Sequence, residues 1–377
     1  MNYKIRAVIG VGLAAVFAVG CGSSSTSSSP SASAPASTST TAGGSSSSGG
    51  PGKVAVLLPD TQSSVRWEQF DRPYLDHALT AAGIPHTIVN AQGDPTTQKT
   101  QAEQAITNGA KVLLLVDLDP GSGAAIIASA HAKGVKVIDY DRLTLGGGAD
   151  FYVSFDNTHV GRLQGQGLVN CIQRDHLTKP VVAELNGDPG DNNATLFANG
   201  YNSVLNPLYA SGTLVKGPNQ SVPKWDNQQA LTIFEQMLSQ TGNKINAVLA
   251  ANDGLANSVI SAETAHKLKY VPVTGQDATA AGIDHILAGQ QCMTVYKAVK
   301  LEADAAAKVA IALDKGQTPP SNGMVDNGPG HKTPAQLETP VAVTATNIKD
   351  TVLKDGFLTR SQICGGTYAQ YCSKYGI

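Results

Sequence analysis

The chain has 377 residues, with 27 Lys plus Arg against 29 Asp plus Glu and a formal net charge of −2. This balance, with no basic block after the extreme N-terminus, argues against a nucleic-acid surface or a polybasic membrane patch and for a small, neutral partner. Hydrophobic residues form 41% of the chain, enough for two lobes with a core in each.

At the N-terminus, Lys4 and Arg6 precede an uncharged, mostly apolar stretch from Ala7 to Gly20 that ends at Cys21. The stretch is too short to span a bilayer as a stable helix, and it carries the charged flank and small terminal residues of a secretory signal peptide. Residues 1–20 are therefore expected to be a signal peptide. Ala18-Val19-Gly20-Cys21 resembles a bacterial lipobox, with Ala18 where Leu is usual, so Cys21 is the expected lipidation site. From Gly22 to Gly50 the chain is almost wholly Ser, Thr, Gly, Ala and Pro. A coil of that composition reaches roughly 30 Å, so residues 21–50 read as a lipidated cysteine and a tether. The expected location is the outer face of the cytoplasmic membrane, reached by secretion.

Beyond the tether, short apolar or β-branched runs alternate with longer amphipathic stretches, which predicts an α/β fold of parallel sheets wrapped by helices. Strands are expected at Lys53–Pro59, His86–Ala91, Val112–Asp117 and Val135–Asp141, with helices near Val65–Ala82, Thr97–Asn108 and Ala124–Lys133. Gly83, Gly109 and Gly134 follow those helices as left-handed caps. After Gly146-Gly147-Gly148 the pattern repeats, with strands at Phe151–Phe155, Val181–Leu185, Ala247–Ala251, Val271–Gly275 and Cys292–Tyr296. A helix near Leu301–Asp314 and a late strand at Val341–Thr344 imply that the chain crosses between lobes more than once.

Four cysteines remain besides Cys21, an even number that suits an oxidising compartment. Cys364 and Cys372 are the expected local disulfide. Cys171, at a helix end, and Cys292, at a strand start, fall on one edge of the same layer; a second bridge and a pair of buried thiols are equally compatible with that placement. No CxxC or Cys/His spacing suggests zinc, and no cofactor is expected.

Polar residues cluster where strands end. Arg66 and Trp67 follow the first strand, and Asp141-Arg142 ends the fourth. Asp191-Asn192-Asn193, Asn252-Asp253, Asp277 and Lys297 occupy corresponding positions in the second half. Ligands of open parallel sheets bind at the carboxyl ends of strands, so two such edges facing each other form a cleft. Asp, Asn, Arg and Lys together offer the donors and acceptors that sugar hydroxyls require, whereas no GxxxxGK[ST] or GxGxxG phosphate cradle is present. Trp67 and Trp225, the two tryptophans, flank that edge and suit stacking on a pyranose. Each group also has a plain structural role available: an Asp141-Arg142 ion pair, helix caps at Asp191 and Asp277, a solvated Lys297.

Taken in order, Val65-Arg66-Trp67, Val137-Ile138-Asp139-Tyr140-Asp141-Arg142, Asp150-Phe151-Tyr152-Val153-Ser154-Phe155-Asp156-Asn157, Asp191-Asn192-Asn193-Ala194, Ala251-Asn252-Asp253, Gly275-Gln276-Asp277-Ala278 and Met293-Thr294-Val295-Tyr296-Lys297 resemble the D-xylose-binding proteins of bacterial ABC transporters. These are periplasmic sugar-binding proteins of the ribose type, and the resemblance runs from about Lys53 to about Phe357. It implies a type I periplasmic binding protein: two Rossmann-like lobes, residues 51–155 plus 298–340 and residues 156–297 plus 341–377, joined by a multi-crossover hinge. It also implies sugar contacts at Arg66, Asp141, Arg142, Asn193, Trp225, Asn252, Asp277 and Lys297, with Trp67, Asp191, Asn192 and Asp253 beside them in support. The implied partners are a monosaccharide, first D-xylose, and the permease and ATPase of an importer; a monomer is expected. The chain departs from the family at Asp117-Leu118-Asp119, at an inserted residue before Arg66 and in its Cys-containing tail.

Three other readings stand beside this one. A glycosidase would use a carboxylate pair such as Asp141 and Asp277. A sugar-responsive repressor would need a helix-turn-helix where this chain has a signal and tether. A sugar sensor, or a lobe pair selective for another monosaccharide such as glucose, would look alike in sequence.

Overall fold

The alternation of side chains along a strand decides how the first sheet is dressed. In β1 (Lys53–Leu58), Val54, Val56 and Leu58 join one buried cluster while Ala55 and Leu57 join another, so helices must cover both faces. In the computed structural model, which describes residues 53–377, that is the arrangement found. The expected signal peptide, Cys21 and the tether lie outside the described residues.

After β1 come α1 (Arg72–Ala81), β2 (His86–Asn90), α2 (Pro95–Thr107), β3 (Ala110–Leu115), α3 (Pro120–His131), β4 (Lys136–Tyr140) and β5 (Phe151–Phe155). Asp94 and Asp119 cap α2 and α3 by accepting from Thr97 and Ser122 N–H groups, each followed by proline at the first helical position. Gly83, Gly109 and Gly134 take the left-handed conformation after their helices, at φ +68°, +85° and +71°. The expected helix from Val65 begins later, as one wide turn over residues 67–71 that runs into α1.

The second half runs α4 (Asn157–Arg174), β6 (Val181–Asn186), α5 (Asn192–Ala210), β7 (Val215–Ser221), α6 (Asn227–Thr241), β8 (Ala247–Ala250), α7 (Asp253–Ala265), α8 (Ala280–Ala288) and β9 (Thr294–Tyr296). It continues through α9 (Val299–Asp314), β10 (Gly323–Asp326), β11 (Lys332–Glu338), β12 (Val341–Val343), α10 (Arg360–Ile363) and α11 (Ala369–Lys374). A seven-stranded sheet has the order β10-β11-β5-β4-β3-β1-β2, parallel except for the β10–β11 hairpin. A second, parallel sheet has the order β7-β6-β8, and β12 pairs antiparallel with β9.

Three elements differ from expectation. Val271–Gly275 is extended but makes only one parallel bridge, Val273 to Val248. The edge strand β7 was unannounced because Val-Lys-Gly-Pro-Asn-Gln-Ser has no apolar alternation and is largely exposed. The β10–β11 hairpin was also unannounced; its residues 332–338 close the edge of the first sheet from far along the chain.

Both cysteine pairs are bridged in the structure, Cys364 to Cys372 and Cys171 to Cys292. The second bridge joins the end of α4 to the start of β9.

Helices α4 and α5 pack with almost no space between their backbones. A Cβ placed on Gly161 would lie 2.0 Å from the Phe197 carbonyl oxygen, and one on Gly200 would lie 2.2 Å from that of Thr158. Only hydrogen fits at either position, so Gly200→Ala forces the helices apart. Urea unfolding of that variant should show a loss of about 1–3 kcal/mol; unchanged stability would mean the helices separate freely.

Candidate functional site

Arg66 is the centre of the site. It lies just before the wide turn at 67–71, and its guanidinium is divided among three buried carboxylates from distant parts of the chain. Nε and Nη2 donate to Asp71 at 2.8 and 2.7 Å, Nη1 to Asp141 at 2.6 Å, and Nη2 also to Glu302 at 2.6 Å. Asp71 precedes α1, Asp141 follows β4, and Glu302 sits in the first turn of α9. Tyr140 Oη donates to Asp71 at 2.7 Å, completing the mount.

Burial alone would raise the Asp141 carboxyl, but the charges of Arg66, Lys297 and Arg142 outweigh it and hold the group at about 2. Glu302 goes the other way: burial lifts it well above the usual carboxylate range, and pairing with Arg66 only partly opposes that. Within the cluster, Asp141 is the fixed negative charge.

Asp141 faces a second set of groups. Lys297, just after β9, places Nζ 3.5 Å from Asp141 and 3.6 Å from Asp277. Asn193, in the first turn of α5, donates through Nδ2 to the Asp141 carbonyl at 3.0 Å and to its Oδ1 at 3.1 Å. Its own Oδ1 accepts from Asn157 Nδ2 at 2.9 Å. Asn157 opens α4, so the glycine-mediated crossing of α4 and α5 sets the distance between these two amides.

Arg142 reaches across from β4 to the other sheet. Its Nε is 3.2 Å from Asp191 Oδ2, and Nη1 donates to the Asp117 carbonyl at 3.1 Å. Asp191 also accepts from Trp225 Nε1 at 3.1 Å, and it caps α5 through the Asn193 N–H. Asp277 is not a cap; Thr279 caps α8 instead. Asn252 caps α7 with Oδ1 and donates through Nδ2 to the Ser63 carbonyl at 3.3 Å. The two arginines stand over the Trp67 ring at 4.7 and 5.5 Å.

All eight expected contact residues, Arg66, Asp141, Arg142, Asn193, Trp225, Asn252, Asp277 and Lys297, line one cavity of about 30 Å³. Trp67 and Asp191 line it too. Asn192, expected beside them, does not; it is the half-buried first residue of α5, turned away by the helical step that aims Asn193 inward. Asp253 lies behind the wall. Its carboxylate accepts from Gln291 Nε2, Thr294 Oγ1 and the Thr279 N–H at 2.9, 2.8 and 2.7 Å, pinning the loop that carries Asp277. Burial raises that carboxyl to about 7, against the pull of these hydrogen bonds.

Sequence reasoning missed Ser63, Ser64, Phe197 and Gln276 on the wall, and Asp71, Tyr140 and Glu302 behind Arg66. The serines carried a weak signal, since they immediately precede Arg66 at a strand end. Glu302 carried none: in its helix it reads as a surface charge.

Two features mark the cavity as built for a polar guest. Asp141, Trp225 and Asp277 all adopt left-handed backbone, at φ +62°, +54° and +95°, a conformation costing non-glycine residues about 1–3 kcal/mol. Asp141 and Asp277 are held there by N–H bonds to the Val153 and Val295 carbonyls. The second feature is a pair of wall acceptors, Gln276 Oε1 and Asp277 Oδ1, which are buried without a hydrogen-bond partner among the described residues.

The sequence profile of the periplasmic binding protein domain matches residues 54–318. The chain belongs to the periplasmic binding protein family. It is 37% identical to the D-xylose-binding periplasmic protein of Escherichia coli over 312 residues, covering 82% of this chain and 92% of that one. It is 33% identical to the multiple sugar-binding periplasmic receptor ChvE of Rhizobium radiobacter, covering 83% and 92%. Among solved structures, a solute-binding protein of an ABC transporter from Clostridium phytofermentans with bound β-D-glucose superimposes with a TM-score of 0.77 at 33% identity, covering 82% and 99%. These relatives are binding proteins, so the glycosidase reading falls. The site agrees: Asp141 and Asp277 share one lysine as hydrogen-bonding anchors, not as an acid and a base.

A carboxyl depressed to about 2 in the folded chain, against an unfolded value near 3.9, stabilises the fold above about pH 4 and loses that contribution as pH falls toward 2. Acid unfolding should therefore show a drop of about 2 kcal/mol across that window that Asp141→Asn removes. An identical acid profile for the variant would show that Asp141 is not the group titrating.

Proposed function

We propose that this protein is the extracytoplasmic sugar-capturing subunit of an ABC importer, and that its cargo is a monosaccharide, first D-xylose. The observation that carries the reading is the cavity wall itself. Buried cations, a carboxylate held ionised and two acceptors without a hydrogen bond share a wall with two tryptophans, which meets the needs of a ring bearing hydroxyls on its edge and C–H groups on its faces. Identity to the D-xylose-binding protein supports the pentose. Glucose is the competing cargo, favoured by the glucose bound in the Clostridium protein.

In this reading, residues 51–155 plus 298–340 and residues 156–297 plus 341–377 are two lobes that open and close. The bonds spanning them, Arg142 to Asp191, Asn193 to Asp141 and Asn252 to Ser63, break to admit the sugar and give way to bonds with its hydroxyls. Closure then forms the surface that a permease and its ATPase recognise. Residues 1–20 are removed on export, and acylated Cys21 anchors the monomer through the Ser-rich tether. One observation favours a second use of the same clamp: ChvE is described as a receptor, so presentation of sugar to a signalling partner would employ the same closed surface.

Calorimetric titration of the body from Gly50 onward with D-xylose, D-glucose, D-ribose, D-galactose and L-arabinose tests the reading. One-to-one binding is expected, tightest for D-xylose; glucose as the tightest ligand would reassign the cargo, and no binding by folded protein would overturn the sugar class. Arg142→Ala and Asp277→Ala each strip a buried partner from the ligand and should weaken binding at least about tenfold. Unaltered affinity in a folded variant would sink the residue assignment. In cells, Cys21→Ala should move the protein from the membrane fraction to the soluble fraction; retention in the membrane would remove the anchor.

A further inference from the structure

The far edge of the three-stranded sheet, where β6 and β8 begin, holds another cavity, of about 650 Å³. Ile245 and Asn246 enter β8 at its wall, Leu177 precedes β6, and Val271 opens the segment bridged to β8. Phe234 and Leu238 on α6, with Leu268, give it an apolar floor. Set into that floor is one acidic side chain, Glu263, in the last turn of α7 and 2% exposed. Its Oε1 accepts from the Val271 N–H at 3.3 Å, while Oε2 has no hydrogen-bond partner among the described residues. A buried carboxyl oxygen left this way costs about 1–3 kcal/mol, a penalty that a bound donor relieves.

The charged groups around the cavity do not serve it. Arg174 pairs with its neighbour Asp175 at 2.7 Å, and Lys269 lies in the field of the same aspartate. Tyr270 Oη is engaged with Thr264 at 3.0 Å, and Glu235 of α6 pairs with His266 beyond α7 at 3.5 Å. Burial therefore dominates at Glu263, opposed only by the Val271 N–H, and lifts its carboxyl to about 8.

We propose that this second cavity binds a small organic ammonium compound, its cationic head on Glu263 and a short apolar body against Leu238 and Leu268. The ammonium supplies the donors that Oε2 lacks, and its charge takes the place of the carboxyl proton. The step balances as R–NH3⁺ plus protonated Glu263 giving the ion pair plus one proton released to solvent. A neutral polyol gains little on an apolar floor, so this site is distinct in chemistry from the first and does not depend on which sugar that one takes.

The test is calorimetric titration of the full chain with hexylammonium, and with hexanol as its uncharged counterpart, at pH 6, 7 and 8. One-to-one hexylammonium binding should tighten about fiftyfold from pH 6 to pH 8 as the carboxyl gives up its proton, with hexanol at least tenfold weaker. Glu263→Gln copies the shape of the protonated carboxyl; it should fold, keep its sugar titration unchanged and lose at least tenfold in hexylammonium affinity. Absence of binding, affinity independent of pH, equal binding of hexanol, or an unaffected Gln variant would each overturn the proposal. The pH series on the unaltered chain decides the matter even if the variant fails to fold.

Discussion

The site depends on the way one guanidinium is shared. Arg66 is only 2% exposed, so its charge must be met inside the protein, and it is met by Asp71, Asp141 and Glu302 at 2.6–2.8 Å. Burying such groups is expensive, and removing one partner would leave the others uncompensated. The return is positional: the planar fork fixes three carboxylates at once, and with them the start of α1, the end of β4 and the start of α9. Three wall residues are placed from Asp141 outward. Lys297 and Asn193 bond to it, Asn157 steadies Asn193, and Lys297 extends the network to Asp277.

A hierarchy of rigidity follows. The Arg66 mount belongs to the first sheet and its helices. The bonds between the two halves are longer, 3.0–3.5 Å for Asn193 to Asp141, Ser64 to Asp277, Arg142 to Asp191, Asn252 to Ser63 and Lys297 to Asp141. Strong bonds hold each wall together and weaker ones hold the walls to each other, which is the order a clamp needs. The left-handed backbone at Asp141, Trp225 and Asp277 fits the same scheme, because strain at the wall is tolerated only where the surroundings over-determine the backbone.

Much of this was legible in the residues, and the reason is periodicity. Set between amphipathic stretches, Leu113-Leu114-Leu115 and Val248-Leu249-Ala250 read as buried strands, and the polar residues that end such runs gather at one edge. That reasoning, with the family resemblance, reached all eight residues that now share a cavity wall. It failed where position depends on tertiary path. Nothing local distinguishes Glu302 from the exposed charges of α9, and Lys-Gly-Pro-Asn in β7 follows no strand pattern because an edge strand needs no apolar face. Asn192 and Asn193 are chemically alike, and only the capping geometry of Asp191 decides which one turns inward.

The threading of the first sheet also bears on when this protein can fold. Strand β5 waits for β11, nearly two hundred residues later, and the third carboxyl on Arg66 comes only with Glu302. The earliest strands to leave the ribosome therefore cannot finish their sheet, and the binding wall cannot form, until most of the chain has been made. Long-range pairing of this kind is slow. The topology thus postpones the compact state until nearly the whole chain is available to pair.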